Sequence, residues 1–230
     1  AFGPQHGMKG EKQYNMEESP DYKDPKYNIP VFSLYGDVRR PTSKMMESFE
    51  TILVDLQDVG CRIFTYITTV AYMLEACAEH NKKVLILDRP NPAGRPIEGS
   101  ILKQGWESFV GVAPIMLRHG LTMGEFAKWY KSYKALDLDL EVIKMQGYEI
   151  EKSPWPMDLP WVNPSPNIPK AITCPTYAGS VTLEGTHLSE GRGTTVPLEI
   201  FGAPGLPVNQ ILKTMYEDYE SWVQGCILRP

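Results

Sequence analysis

The sequence lacks any apolar run approaching the ~20 residues that a helix needs to cross a bilayer, which excludes a membrane span. It also lacks an excess of positive charge. Lys and Arg number 23 against 28 Asp and Glu, a formal net charge of −5. A nucleic-acid module, which needs a basic face to meet phosphates, is disfavoured. Cysteine is scarce, and Cys61, Cys77, Cys174 and Cys226 form no C-x-x-C and no zinc-ligand spacing with histidine. They read as small buried hydrophobes. The four histidines make no H-x-H or H-x-x-x-H pair, so no transition metal is expected. No G-x-G-x-x-G follows a strand, and there is neither a Walker lysine motif nor a G-x-S-x-G elbow. No redox cofactor is expected.

What is present suits a folded, loop-rich enzyme domain. Apolar residues make up 42% and charged residues 22% of 230, which excludes intrinsic disorder. A chain of this length buries roughly 70% or more of its unfolded surface. Nineteen glycines and 20 prolines exceed the ~12% background and point to many loops.

The apolar pattern predicts α/β architecture. Thr51 to Leu56 (TILVDL) and Lys83 to Asp88 (KVLILD) are continuous apolar runs, the pattern of strands buried on both faces. Between them Phe64, Ile67, Ala71, Leu74 and Ala78 recur at helical spacing. Strand, helix, strand is a βαβ unit, which implies a parallel sheet and a right-handed crossover. Val31 to Tyr35, Ile115 to Leu117 and Leu140 to Met145 read as further strands, and Ser43 to Phe49 as a short helix. Thr122-Met123-Gly124-Glu125 fits a capping box that opens a helix reaching about Tyr133. Composition shifts near residue 152. Residues 1–152 read as one lobe, the proline-rich 153–175 as an extended crossing, and 176–230 as the beginning of a second lobe. Asn209 to Trp222 reads as a last amphipathic helix. The opening Ala1-Phe2-Gly3-Pro4 resembles the end of a strand, so the chain reads as a fragment.

Four strand-like segments run into polar loops: GPQHG, GDVRRPT, QDVGCR and DRPNP. In a parallel sheet such loops leave the carboxyl edge, where ligands of open α/β sheets bind. Gln5, His6, Asp37, Arg39, Asp58, Arg62, Asp88, Arg89 and Asn91 should then converge on one cleft. Carboxylates are the richer chemical signal. Asp58, Glu75, Glu98, Glu184 and Glu190 lie near glycine-flanked loops or the βαβ unit. Glycosidic cleavage uses two, one to protonate the leaving oxygen and one near the anomeric carbon. Each candidate has a plain structural alternative. Asp58 could cap the following helix, Tyr66 could be packing, and Glu190 could pair with Arg192 inside its own loop. Asn91, Asn163 and Asn167 suit recognition of sugar hydroxyls.

A family likeness rests on blocks that run in one order: FGPQHGMKG (2–10), VFSLYG (31–36), VDLQDVGCRIFTYI (54–67), LDRPNPAG (87–94), IEGSIL (97–102), LRHGLTMGEFA (117–127), NPSPNIP (163–169) and LEGTHLSEGRGTTVPLEIFGAP (183–204). Together they resemble the NamZ-type exo-β-N-acetylmuramidases of bacteria. The resemblance implies a Rossmann-like parallel-sheet lobe followed by a smaller C-terminal lobe, with the cleft between them. It implies removal of N-acetylmuramic acid from the non-reducing end of peptidoglycan fragments, in a periplasmic or secreted setting. It also implies that the first strand and helix of the first lobe precede this chain. Where many relatives carry a proposed catalytic glutamate, in P-E-H-G, this chain has Gln5; Gln13 to Pro20 still fits the family pattern. A carboxamide can act neither as general acid nor as nucleophile. Three readings stay open: another carboxylate serves, Glu98 or Asp58 first; the protein binds sugar without cleaving it; or the glutamine was introduced to trap a complex. The expected catalytic group is therefore Glu98, Asp58, His6 and Gln5. The expected substrate-binding group is Arg62, Tyr66, Asn91, Asn163, Glu184, Glu190 and Arg192. Arg192 would grip the lactyl carboxylate bidentately.

Overall fold

The computed structural model describes residues 1–12, 18–149, 151–156, 158–224 and 227–230. Residues 13–17 of the stretch that carries the likeness beyond Gln5, and Cys226, lie outside the described residues. β1 (Phe2–Gly3) pairs in parallel with β3 (Pro30–Ser33), whose other side takes β2 (Tyr22–Lys23) antiparallel. After α1 (Ser43–Met46) come β4 (Thr51–Val54), α2 (Tyr66–Glu79) and β5 (Lys83–Leu87). These are the βαβ unit that the periodicity predicts, with β4 and β5 parallel and Thr51 opposite Lys83. β6 (Glu98–Ile101) and β7 (Met116–Arg118) form an antiparallel pair. α3 (Met123–Tyr133) leads into β8 (Leu140–Ile143), which joins β5 in parallel. The sheet order is β4-β5-β8. Both crossovers advance in one direction, so right-handedness puts α2 and α3 on one face, where they pack together.

Register explains the core. Ile52, Val84 and Leu140 stand side by side, as do Val54, Ile86 and Val142, and this row faces the helices. Val84, Ile86, Ile67, Leu74, Phe126 and Tyr130 are fully buried there. The opposite face differs from the expectation of two buried faces. Leu53 is 57% exposed and Ile143 44%. The two expected strands, β4 and β5, alternate instead of reading as continuously buried, because the helices cover only one side of the sheet. Gly124 sits where α3 crosses the sheet. A Cβ there would lie 2.5 Å from Val142 Cγ1 and 2.9 Å from Asp88 Cγ, so only glycine allows this approach.

Past the proline-rich stretch, α4 (Thr173–Ser180) and a 3₁₀ turn (Val181–Gly185) dock on the same core through Cys174, Tyr177 and Val181. Leu198 joins them. α5 (Val208–Asp218) buries no residue, so its apolar stripe stands outside this core. Cys61, Cys77 and Cys174 are free and buried, as small hydrophobes should be.

α3 starts where the capping box says it should. Thr122 Oγ1 accepts the Glu125 N–H, and Glu125 Oε2 accepts the Thr122 N–H at 2.9 Å. Asp88, at the end of β5, adds two bonds: Oδ2 accepts from the Thr122 hydroxyl at 2.9 Å and Oδ1 from the Gly124 N–H at 2.8 Å. The carboxylate thus faces the positive end of the helix. Thr122→Ala removes the cap and one partner of Asp88. It should lower stability by about 1 kcal/mol or somewhat more in chemical denaturation, with the denaturant slope unchanged.

Candidate functional site

Beneath the carboxyl edge lies a layer of buried polar side chains. Asp58 Oδ2 accepts the Gly60 N–H at 2.7 Å, a tight turn that swings the chain into Cys61 and Arg62. His119 Nε2 stands 3.2 Å from the same oxygen, and its Nδ1 accepts the Leu121 N–H. Arg62 Nη1 donates to the carbonyls of Ser100 and Ile115 at 2.8 and 2.6 Å. Asn91 Nδ2 donates to the Leu121 and Gly94 carbonyls while Oδ1 accepts the Ala93 N–H. Arg118 donates to the Ala93 carbonyl. These loops bury their backbone, and buried amides and carbonyls need partners. The side chains supply them.

Above that layer opens a cleft of about 370 Å³. One wall is the β1 loop, with Gln5 and His6. The Thr65 hydroxyl donates to Gln5 Oε1 at 2.8 Å, which turns the amide's N–H₂ end toward other acceptors. His6 has left-handed backbone, φ 69°, a conformation uncommon outside glycine. Its Nδ1 donates to the Lys12 carbonyl at 2.9 Å, which leaves Nε2 as an acceptor. The ring stacks on Phe64 with centroids 6.3 Å apart. Burial pushes the His6 pKa down; the Lys12 carbonyl opposes this, and the Arg192 charge adds to the lowering.

Another wall comes from α4 and the chain after it. Glu184 and Arg192 line the cleft with Tyr177 and Leu198. Arg192 Nη2 pairs with Glu184, and its Nε with Glu190. The third wall holds Tyr35, Arg39 and Phe109, with Asn167 on the crossing segment. Glu184 is the carboxylate among the lining residues. Among the described residues, no group of three or more His, Cys, Asp or Glu could hold a metal ion.

The structure therefore brings together Gln5, His6, Glu184 and Arg192, and places Glu190 behind Arg192. Arg39 and Asn167, also expected, line the same cleft, whereas Glu98, Asp58, Arg62, Asn91, Tyr66, Asn163 and Asp88 do not. Glu98 lies on β6, where Arg118 Nη1 holds its carboxylate at 2.5 Å on the exposed side of the hairpin. Asp58, Arg62 and Asn91 belong to the buried layer below. Tyr66 is buried, its hydroxyl donating to the Pro164 carbonyl at 2.7 Å; with Asn163 it borders a separate depression beside Arg89 and Asp55. Asp88 caps α3. Sequence reasoning missed Thr65, Tyr177, Leu198 and the Phe109 segment. Thr65 ends the VGCRIFT block just before α2, a signal that could have found it. The others sit in segments that only tertiary packing brings to the cleft.

Two consequences can be measured. The folded chain binds a proton at His6 less readily than the unfolded chain, where imidazole titrates near ~6.5. The stability that this imidazole contributes is therefore full above that value and is lost as pH falls through the lowered one. In an NMR titration the His6 midpoint should lie below the ordinary value. Arg192→Met should raise it only partway, because burial is the larger cause. Gly60, at φ 78°, would place a Cβ 2.2 Å from Asn91 Oδ1. Gly60→Ala should cost about 2 kcal/mol or more in denaturant unfolding by prising the two edge loops apart.

Comparisons with known proteins agree with this architecture. The family model for the N-terminal part of the exo-β-N-acetylmuramidase NamZ matches residues 1–172, and that for its C-terminal part matches residues 175–230. A protein of Bacillus subtilis (strain 168) described as peptidoglycan β-N-acetylmuramidase NamZ is 42% identical over 215 residues, covering 93% of this chain and 52% of that protein. Two DUF1343 family crystal structures from Bacteroides fragilis superpose on the fold. One has a TM-score of 0.83 at 34% identity, covering 94% of this chain and 55% of the other. The second has a TM-score of 0.71 at 37% identity, covering 79% and 50%. The chain spans about half the length of the curated relative it matches. With both family models matched in order along an α/β fold of this kind, the chain belongs to the NamZ exo-β-N-acetylmuramidase family.

Proposed function

We propose that the protein is a glycoside hydrolase that removes N-acetylmuramic acid from the non-reducing end of peptidoglycan fragments, with this cleft as the sugar site. The observation that carries the reading is the pairing of a polar wall, Gln5 and His6, with the Glu184–Arg192 wall across a space of about 370 Å³. Family membership supports the substrate class. Glycosidic cleavage passes through an oxocarbenium-like transition state, and a carboxylate beside the anomeric carbon stabilises it or attacks it. Glu184 takes that role. Gln5 and His6 Nε2 orient ring hydroxyls and the acetamido group, the amide as donor and the imidazole as acceptor. Phe64 and Tyr177 give the sugar ring an apolar floor.

A second reading has its own observation. Gln5 occupies the wall where hydrolysis calls for a second carboxylate, and a carboxamide cannot protonate a leaving oxygen. On that reading the cleft binds muramic sugars without cutting them.

The test uses the full-length protein with a chromogenic β-N-acetylmuramide and the matching N-acetylglucosaminide. Release from the muramide alone, falling by about 10²-fold or more in Glu184→Gln, is the expected result. Release that Glu184→Gln leaves intact would remove Glu184 from the mechanism. Silence from the parent with release from Gln5→Glu would favour binding without cleavage.

A further inference from the structure

Two arginines line the cleft, and their surroundings differ. Arg192 is engaged by two carboxylates, Glu184 at Nη2 and Glu190 at Nε. Its charge is thus already matched by carboxylates of its own loop. Arg39 stands on the wall with Tyr35 and Phe109. Its Nη1 donates to the Gly36 carbonyl at 2.7 Å, and its guanidinium lies 3.9 Å above the Tyr35 ring and 5.4 Å from Phe109. Among the described residues the carboxylate paired with it is Glu18, 3.8 Å away and 62% exposed, a loose pair that water screens. The aromatic platform fixes the plane of the guanidinium, so little side-chain freedom is lost when it takes a ligand.

We infer that Arg39, not Arg192, is the specificity-determining residue that receives the carboxylate of an anionic sugar, so that the cleft selects a lactyl-bearing ring over a neutral one. This rests on the proposed sugar site and goes beyond it by naming the group that tells muramic acid from glucosamine. The protein as a whole carries a charge of −5, so an anionic ligand needs such a local cation. A carboxylate docked at Arg39 Nη2 takes the place of the exposed Glu18 and leaves the Gly36 bond intact. The sugar ring then spans toward Gln5 and His6, which line the same cleft.

The test separates ligand charge from protein charge. Binding of N-acetylmuramic acid and of its neutral methyl ester is measured by calorimetry on the full-length parent, Arg39→Met and Arg39→Lys. Methionine keeps the stem over Tyr35 and drops the charge; lysine restores the charge without the fork. Thermal unfolding checks that each variant is folded. The parent should prefer the acid by about 10-fold or more, as expected for hydrogen bonds to a charged group. Arg39→Met should bring acid and ester within about twofold of each other by weakening the acid alone, and Arg39→Lys should fall between. An acid-over-ester ratio that survives Arg39→Met overturns the inference and leaves the sugar site standing. A parent that binds neither ligand overturns the sugar site and this inference with it.

Discussion

Loops that leave the carboxyl edge of β4 and β5 have to bury their backbone under the cleft, and this one constraint organises the molecule. Gly60 brings the 57–62 segment against Asn91 and Ala93 at a distance that no side chain tolerates. Gln57 Nε2 then donates to the Pro90 carbonyl at 2.8 Å, Asp58 closes the Gly60 turn, and Asn91 ties its own loop to Leu121. Arg62 and Arg118 finish the layer on the carbonyls of the β6–β7 pair and its flanks. The cost of leaving one such group unpaired is about 1–3 kcal/mol. These bonds tie the edge loops to one another.

Gln5 and His6 are buried as well, but they line the cleft, on a loop that turns through left-handed backbone at His6 and Gly7. The other side of the cleft is built from a distant part of the chain. Tyr177, buried within α4, packs edge-on to Phe64 with centroids 6.3 Å apart, and so fixes the helix to the β4–α2 connection. Glu184, Glu190 and Arg192 follow it as one ion-paired unit. The Tyr177–Phe64 contact joins segments 113 residues apart, beside the docking of Cys174, Val181 and Leu198 on the same core.

Much of this was legible in the sequence, for physical reasons that differ by element. The 3.6-residue stripe on α2 and the Thr122 capping box are local signals, and both elements form where they read. The parallel pairing of β4 and β5 followed from the short crossover. Burial of β4 on both faces did not, because a run of Ile, Leu and Val is equally compatible with an outer strand. The site was half legible. Gln5, His6 and Arg39 line the cleft, as carboxyl-edge topology suggests, and Glu184 and Arg192 reach it from the glycine-rich loop that carries the family likeness. Asp58, Arg62 and Asn91 share that topology but serve the buried backbone, a role that no spacing distinguishes from ligand binding. Glu98 looked placed for chemistry by its glycine neighbour, yet β6 turns it outward to Arg118.

The most direct test of the account is a crystal structure of the full-length protein with N-acetylmuramic acid bound. The account predicts the sugar over Phe64 and Tyr177, with Gln5 and His6 on one side, Glu184 near the anomeric carbon and the lactyl carboxylate against Arg39. A sugar bound instead beside Tyr66 and Asn163, or on the Glu98–Arg118 hairpin, would contradict it.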